Sequence, residues 1–179
     1  MQFTLFTDYS LRSLVFIALK TAEKDSLTTI KDISSELRIS NNHIVKVIHN
    51  LSKNGFIVTT RGNHGGVRLS RKPEEINLGD VVSSTENFSC LLHCAHNDCC
   101  FHAVCLFQGI MHKAATAFIT ELSNFTLVDL LKEKERLRQA LAASLESGED
   151  SRICSLLTIE SGTLQLEGEA ETDGADGEP

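Results

Sequence analysis

Sixteen consecutive residues at positions 90–105, CLLHCAHNDCCFHAVC, hold five of the six cysteines and three of the seven histidines in this 179-residue chain. So dense a set of donors constrains the fold around it, because the thiols must either pair with one another or converge on a metal. The N-terminus, MQFTLFTDYS, has no basic region. The longest apolar run near it is residues 14–19, too short for a leader or a membrane span. A cytoplasmic protein with no membrane partner is expected, and in a reducing compartment clustered cysteines read as metal ligands or redox groups rather than disulfides.

The formal net charge of −7 argues against a nucleic-acid partner only when taken whole. Residues 1–72 carry eleven Lys/Arg against five Asp/Glu, whereas residues 147–179 carry nine acids against one arginine. A basic head and an acidic tail suit a nucleic-acid-binding module followed by a solvated segment.

Within the head, Leu11, Leu14, Val15, Ala18 and Leu19 fall at helical spacing, which predicts a first helix over 9–22 capped by Thr7 or Asp8. Thr29 opens a second helix over 30–37. The turn Arg38-Ile39-Ser40 ends in a good cap for a third helix over 41–54. There Ile44, Val47, Ile48 and Leu51 form one apolar face, the remainder is amide, imidazole and ammonium, and Gly55 follows as the residue just past the end. Residues 56–60 and 67–70 read as strands joined by the glycine-rich turn Arg61-Gly62-Asn63-His64-Gly65-Gly66. Helix, turn, helix and a basic hairpin is the order of a winged helix-turn-helix. The fold class expected is mainly α with a small β-hairpin wing. The residues expected at double-stranded promoter DNA are Ser40, Asn41, Asn42, His43 and Lys46 on the third helix, and Arg61, Asn63, His64 and Arg68 on the wing.

The segments FTDYSLRSL, SNNHIVKVIHNLSKNGFI, RGNHGGVRL and NLGDVV, with the spacing Cys94, Cys99, Cys105, resemble the NsrR-type nitric-oxide-sensing repressors. These belong to the iron–sulfur winged-helix family, which also includes IscR-type regulators. The resemblance runs from about residue 1 to about residue 131. It implies a homodimer that binds promoter DNA, an iron–sulfur cluster between the winged domain and a long dimerisation helix, and release of DNA when nitric oxide attacks the cluster. It also implies Cys94, Cys99 and Cys105 as cluster ligands, with Asp8 of the opposite subunit as the fourth. Asn41 departs from the family pattern, which commonly has arginine there, and Cys90 and Cys100 are additional thiols.

The two gaps between those three cysteines are wider than the two-residue knuckles of small zinc ribbons and suit ligands wrapped around a larger inorganic core, of 2Fe–2S or 4Fe–4S type. Thiolate and iron are both soft partners. For the fourth ligand, Cys90, Cys100, His93, His96 and His102 stand beside Asp8. Zinc is the rival metal, and His96 with Cys99 has a spacing that suits it.

After the cysteines, apolar residues from Phe107 to Leu122 recur at helical spacing over 106–122, with Cys105 at the helix start. A helix of that kind at the end of a small domain buries its stripe best against a copy of itself. A further helix is expected over 127–145 with Thr126 as its cap, and a disordered acidic tail from 147 apart from an apolar island at 153–159. The division expected is 1–78 for DNA binding, 79–105 for the cluster, 106–145 for dimerisation and 146–179 for the tail. The function expected is a cluster-dependent transcriptional repressor and not an enzyme. The alternatives are a regulator sensing cluster supply, iron or redox state and, more remotely, an iron–sulfur redox protein.

Overall fold

The computed structural model describes residues 3–24, 27–62, 65–88, 105–147, 157–160 and 163–166. The chain divides into two compact units, Met1–Ala143 and Ser144–Pro179.

The first unit is built on α1, Leu5–Lys24. Leu14, Phe16, Ile17, Ala18 and Leu19 are all buried, so this helix is covered on more than one side. It packs against α2 (Ile30–Glu36), α3 (Asn41–Lys53), α4 (Leu78–Thr85) and α6 (Leu127–Leu130). A single stripe accounts for only part of that burial, because Phe16 and Ile17 lie off it. The helix also starts a turn earlier than its periodicity suggests. Thr4 precedes it and its hydroxyl accepts from the Thr7 N–H at 3.4 Å, so Thr7 and Asp8 lie inside the first turn rather than capping it.

Thr29 caps α2 with a reciprocal box: its hydroxyl accepts from the Asp32 N–H at 3.1 Å and its own N–H donates to Asp32 Oδ2 at 3.0 Å. Ile33 of α2 joins Ile44, Val47, Ile48 and Leu51 of α3 in the core, each removal from water contributing about 1.5–3 kcal/mol. Between the two helices Arg38 adopts φ 53°, a left-handed turn anchored by the buried side chain of Ile39.

The wing is an antiparallel pair, β1 (Ile57–Thr60) with β2 (Gly66–Leu69), in which Ile57 faces Leu69 and Val58 faces Arg68. Thr28 adds a short third edge by exchanging hydrogen bonds with Val67 at 3.0 and 2.8 Å. Ile57, Val67 and Leu69 turn inward, and Val58 and Arg68 turn outward. The pleat's two-residue period thus puts one face of the hairpin on the core and the other in solvent.

α4, preceded by a short 3-10 turn at Pro73–Glu75, is an element that the hydrophobic pattern alone left unassigned. Asn77 caps it by accepting from the Asp80 N–H at 3.2 Å, and Leu78, Val81 and Val82 are buried. α5 runs over Leu106–Leu122, the span its periodicity predicts. The single helix expected over 127–145 is two, α6 and α7 (Lys134–Ser147). A capping box between Thr126 and Asp129 starts α6, Leu127 and Leu131 bury, and the break follows at the charged run that begins with Lys132.

In the second unit, β3 (Leu157–Glu160) pairs antiparallel with β4 (Thr163–Leu166). β3 overlaps the apolar island expected at 153–159. Apolar residues alternate with polar ones in both strands, and the register sets Leu157 opposite Leu166 and Ile159 opposite Leu164.

Candidate nucleic-acid interface and ligand-bearing segment

The sequence of α3 divides cleanly into two faces. Ile44, Val47, Ile48 and Leu51 are buried, and Asn42, Lys46, His49 and Lys53 line the opposite, exposed face at spacings of four, three and four residues. Its C-terminal end is closed by a Schellman motif. Gly55 at φ 74° donates to Ser52 O at 3.1 Å, and the buried Phe56 donates to Leu51 O at 2.9 Å. The left-handed conformation at Gly55 turns the chain straight into β1, which places the wing beside the helix.

At the other end, Ser40 occupies the cap position but its side chain does not cap. Its hydroxyl lies 3.0 Å from Nδ1 of His43, and the His43 ring is tilted against that of Tyr9 with centroids 5.7 Å apart. Of the residues expected to meet DNA, Asn41, Asn42 and Lys46 are therefore exposed on α3, whereas His43 is exposed but held by neighbours on two sides. Arg61 and Arg68 are exposed at the wing, and neither has an ion-pair partner among the described residues. Asn63 and His64 lie outside the described residues. His49 and Lys53 complete the exposed face of α3. Their register on the helix was legible, since each follows Asn42 and Lys46 by seven positions.

Of the expected ligands, Cys105 and Asp8 are described. Cys105 stands at the cap position of α5, half-buried, with no side-chain bond to the helix amides, which leaves its sulfur available as a donor. Asp8 lies on the first turn of α1, where its Oδ1 accepts from Arg12 Nε at 2.8 Å. Arg12 is exposed and Asp8 half-buried, and such a pair near the surface is worth about 1 kcal/mol or less. Cys94, Cys99, Cys90, Cys100, His93, His96 and His102 lie outside the described residues, and among the described residues no group of three or more His, Cys, Asp or Glu could hold a metal.

The described residues that precede the cysteine segment in sequence pack on α5 and α1. Phe88, just before it, packs on Phe118 of α5 at 6.0 Å, and Phe3 packs on the same ring at 5.8 Å. Glu86, two residues earlier, receives hydrogen bonds from the first turn of α1. Burial tends to raise its pKa, but the bonds from Thr7 and Thr4 outweigh that and hold the carboxyl below its usual range. α5 itself turns Ala115 inward and leaves Leu106, Phe107 and Ile110 exposed at 84, 54 and 60%. No helix among the described residues is long and apolar enough to cross a membrane.

Comparison with known proteins gives a consistent result. Residues 3–133 match the Rrf2 family model, described as an iron-dependent transcriptional regulator. The HTH-type transcriptional regulators NsrR of Halalkalibacterium halodurans and Geobacillus kaustophilus are 42 and 43% identical to the chain over 144 residues. Each alignment covers 79% of this chain and 97% of the relative. Among solved structures, T. potens IscR superposes with a TM-score of 0.60 at 21% identity, covering 77% of this chain and 91% of that one. CymR, the global cysteine regulator of B. subtilis, gives 0.53 at 21% identity, covering 73 and 95%. The last two likenesses bear on the fold, which is mainly helical with a two-stranded hairpin.

Proposed function

The chain belongs to the Rrf2 family of transcriptional regulators, whose named members are regulators and not enzymes, and from that premise we propose that it is a cluster-dependent repressor. In this reading it binds promoter DNA as a homodimer and lets go when nitric oxide attacks its iron–sulfur cluster.

The observation that carries the DNA-binding part is the exposed face of α3, with Asn42 and Lys46 near its N-terminal end and the two wing arginines beside it. An asparagine can bond two edge atoms of adenine at once, and lysine and arginine neutralise phosphates. Asn42 would specify, while Lys46, Arg61 and Arg68 would hold the duplex in register. The exposed Leu106, Phe107 and Ile110 of α5 support dimerisation, since a second copy would remove them from water.

For the cluster, Cys94, Cys99 and Cys105 would be the thiolate ligands, with Asp8 of the opposite subunit as the fourth. The donor set suits it: a half-buried sulfur at Cys105 that does not cap its helix, and a half-buried carboxylate at Asp8 paired with the exposed Arg12. Such a cluster would supply iron open to attack at the corner held by the harder, more exchangeable oxygen ligand. The chain's own part is to hold the segment between α4 and α5 in one shape, so that the two winged domains face successive major grooves.

The test is anaerobic purification, a visible spectrum with iron and sulfide content, and a promoter gel shift before and after stoichiometric nitric oxide. A coloured protein that loses its shift with nitric oxide, and keeps it after brief oxygen exposure that leaves the cluster intact, is the expected result. A colourless, zinc-loaded protein with unchanged DNA binding overturns the reading.

A further inference from the structure

α4 is tied at both ends, and the ties lead to different parts of the molecule. At its N-terminal end Asn77 Nδ2 donates to Ser123 O at 2.7 Å and the Leu78 N–H donates to Phe125 O at 3.0 Å. The Leu127 N–H returns to Ile76 O at 2.8 Å. These bonds fix that end to the turn that closes α5.

At its C-terminal end the Glu86 carboxylate folds back over the first turn of α1. One oxygen, Oε1, accepts from the Thr4 N–H at 2.7 Å, the Thr4 hydroxyl at 2.9 Å and the Thr7 hydroxyl at 2.6 Å. Thr7 Oγ1 also lies 2.8 Å from Thr85 Oγ1, and Thr7 is fully buried, so water does not reach its hydroxyl. Two residues before Glu86, Ser84 O accepts from Asn50 Nδ2 of α3 at 3.4 Å. The last turn of α4 therefore touches the Asp8-bearing turn and the proposed recognition helix together, four residues before the first cysteine of the segment.

We propose that this turn, with the Glu86 carboxylate as its positioning residue, is the junction through which the state of the cysteine segment sets the placement of α1 and α3 on DNA. The chemistry favours such a role. Three donors on one charged oxygen are stronger and more directional than neutral bonds. The Asn50–Ser84 bond joins α3 to the same turn. Burial opposes the charge on Glu86, but the Thr7 and Thr4 bonds prevail, so the clamp is ionised at neutral pH.

This inference rests on the cluster-dependent repression proposed above, and its test separates the two. Promoter affinity is measured by fluorescence anisotropy for cluster-loaded and cluster-free protein, for the wild type and for Glu86→Ala, Glu86→Gln and Thr7→Val. Thermal unfolding checks each fold. In the wild type the two forms differ in affinity by a factor of about 5–150, the range of allosteric couplings. Glu86→Ala and Thr7→Val shrink that ratio toward 1, leave binding to non-specific DNA unchanged, and together shrink it no further than either alone. Glu86→Gln, which keeps an acceptor without the charge, gives an intermediate ratio and carries the test with Thr7→Val if Glu86→Ala does not fold. Folded variants that keep the wild-type ratio overturn the junction alone. A wild type whose affinity ignores the cluster overturns the repressor reading and the junction with it.

Discussion

Gly79 of α4 and Ser123 at the end of α5 approach so closely that a methyl group on the glycine would lie 2.2 Å from Ser123 Oγ and 3.0 Å from Ile119 O. The absent side chain at Gly79 is what lets the two helices meet. Gly79→Ala should destabilise the first unit by about 1–3 kcal/mol, the usual cost of forcing volume into a packed contact. Urea denaturation reads this as a lower midpoint. Adding Ser123→Ala should recover part of the loss but not all of it, because the Ile119 carbonyl is backbone and cannot move aside.

The wing and the recognition helix should separate under mutation. Arg61→Ala or Arg68→Ala removes an exposed cation without an ion-pair partner among the described residues. Each should weaken binding to all DNA sequences alike and lower the salt slope of log K by about 1. Asn42→Ala should instead cost about 1–3 kcal/mol on the preferred operator and relax preference at one base pair. Anisotropy titrations on a set of single-base operator variants at several salt concentrations distinguish the two. An Asn42 substitution that leaves operator discrimination intact removes α3 from the reading role.

Much of this architecture was legible in the residues, and the exceptions have physical causes. The four apolar positions of α3, the Thr29 cap and the span of α5 followed from periodicity and capping chemistry, which are local. α4 was missed because an eight-residue helix with only Leu78, Val81 and Val82 on its apolar face gives too short a pattern to stand out. The early start of α1 depends on Thr4 and Glu86, 82 positions apart, and no local signal carries that. The break after Leu131 likewise depends on where the core ends. The exposed amide and ammonium face of α3 was legible from its period. That His43 meets both Ser40 and the ring of Tyr9 depends on how α1 packs against α3, which no local pattern carries.

That engagement gives an unusual expectation for Ser40. A serine at a helix cap ordinarily loses about 1 kcal/mol on change to alanine, because its hydroxyl serves a backbone amide. Here the hydroxyl serves the His43 ring and no amide. Ser40→Ala should therefore cost distinctly less than an ordinary cap, while Thr29→Ala, which dismantles a complete capping box, should show the full effect. Thermal melts of the two variants side by side make the comparison. Equal losses would mean that Ser40 caps α3 in solution.

Acid should loosen two specific joints. The Asp129 carboxyl is held below its ordinary range by the Thr126 N–H and the Lys132 side chain, against a smaller burial effect, and Glu86 is held low by Thr7 and Thr4 against a larger one. A group whose folded pKa is depressed stabilises the fold at pH values above its unfolded pKa. That contribution is lost as pH falls through the unfolded value, about 4, toward the folded one. Urea midpoints should therefore hold steady from pH 7 to about 5 and fall below about 4, where the α6 capping box and the α1–α4 clamp both protonate. A variant carrying Asp129→Asn and Glu86→Gln together should start lower at neutral pH and lose less over the acid interval. If it instead falls in parallel with the wild type, other carboxylates govern the acid transition.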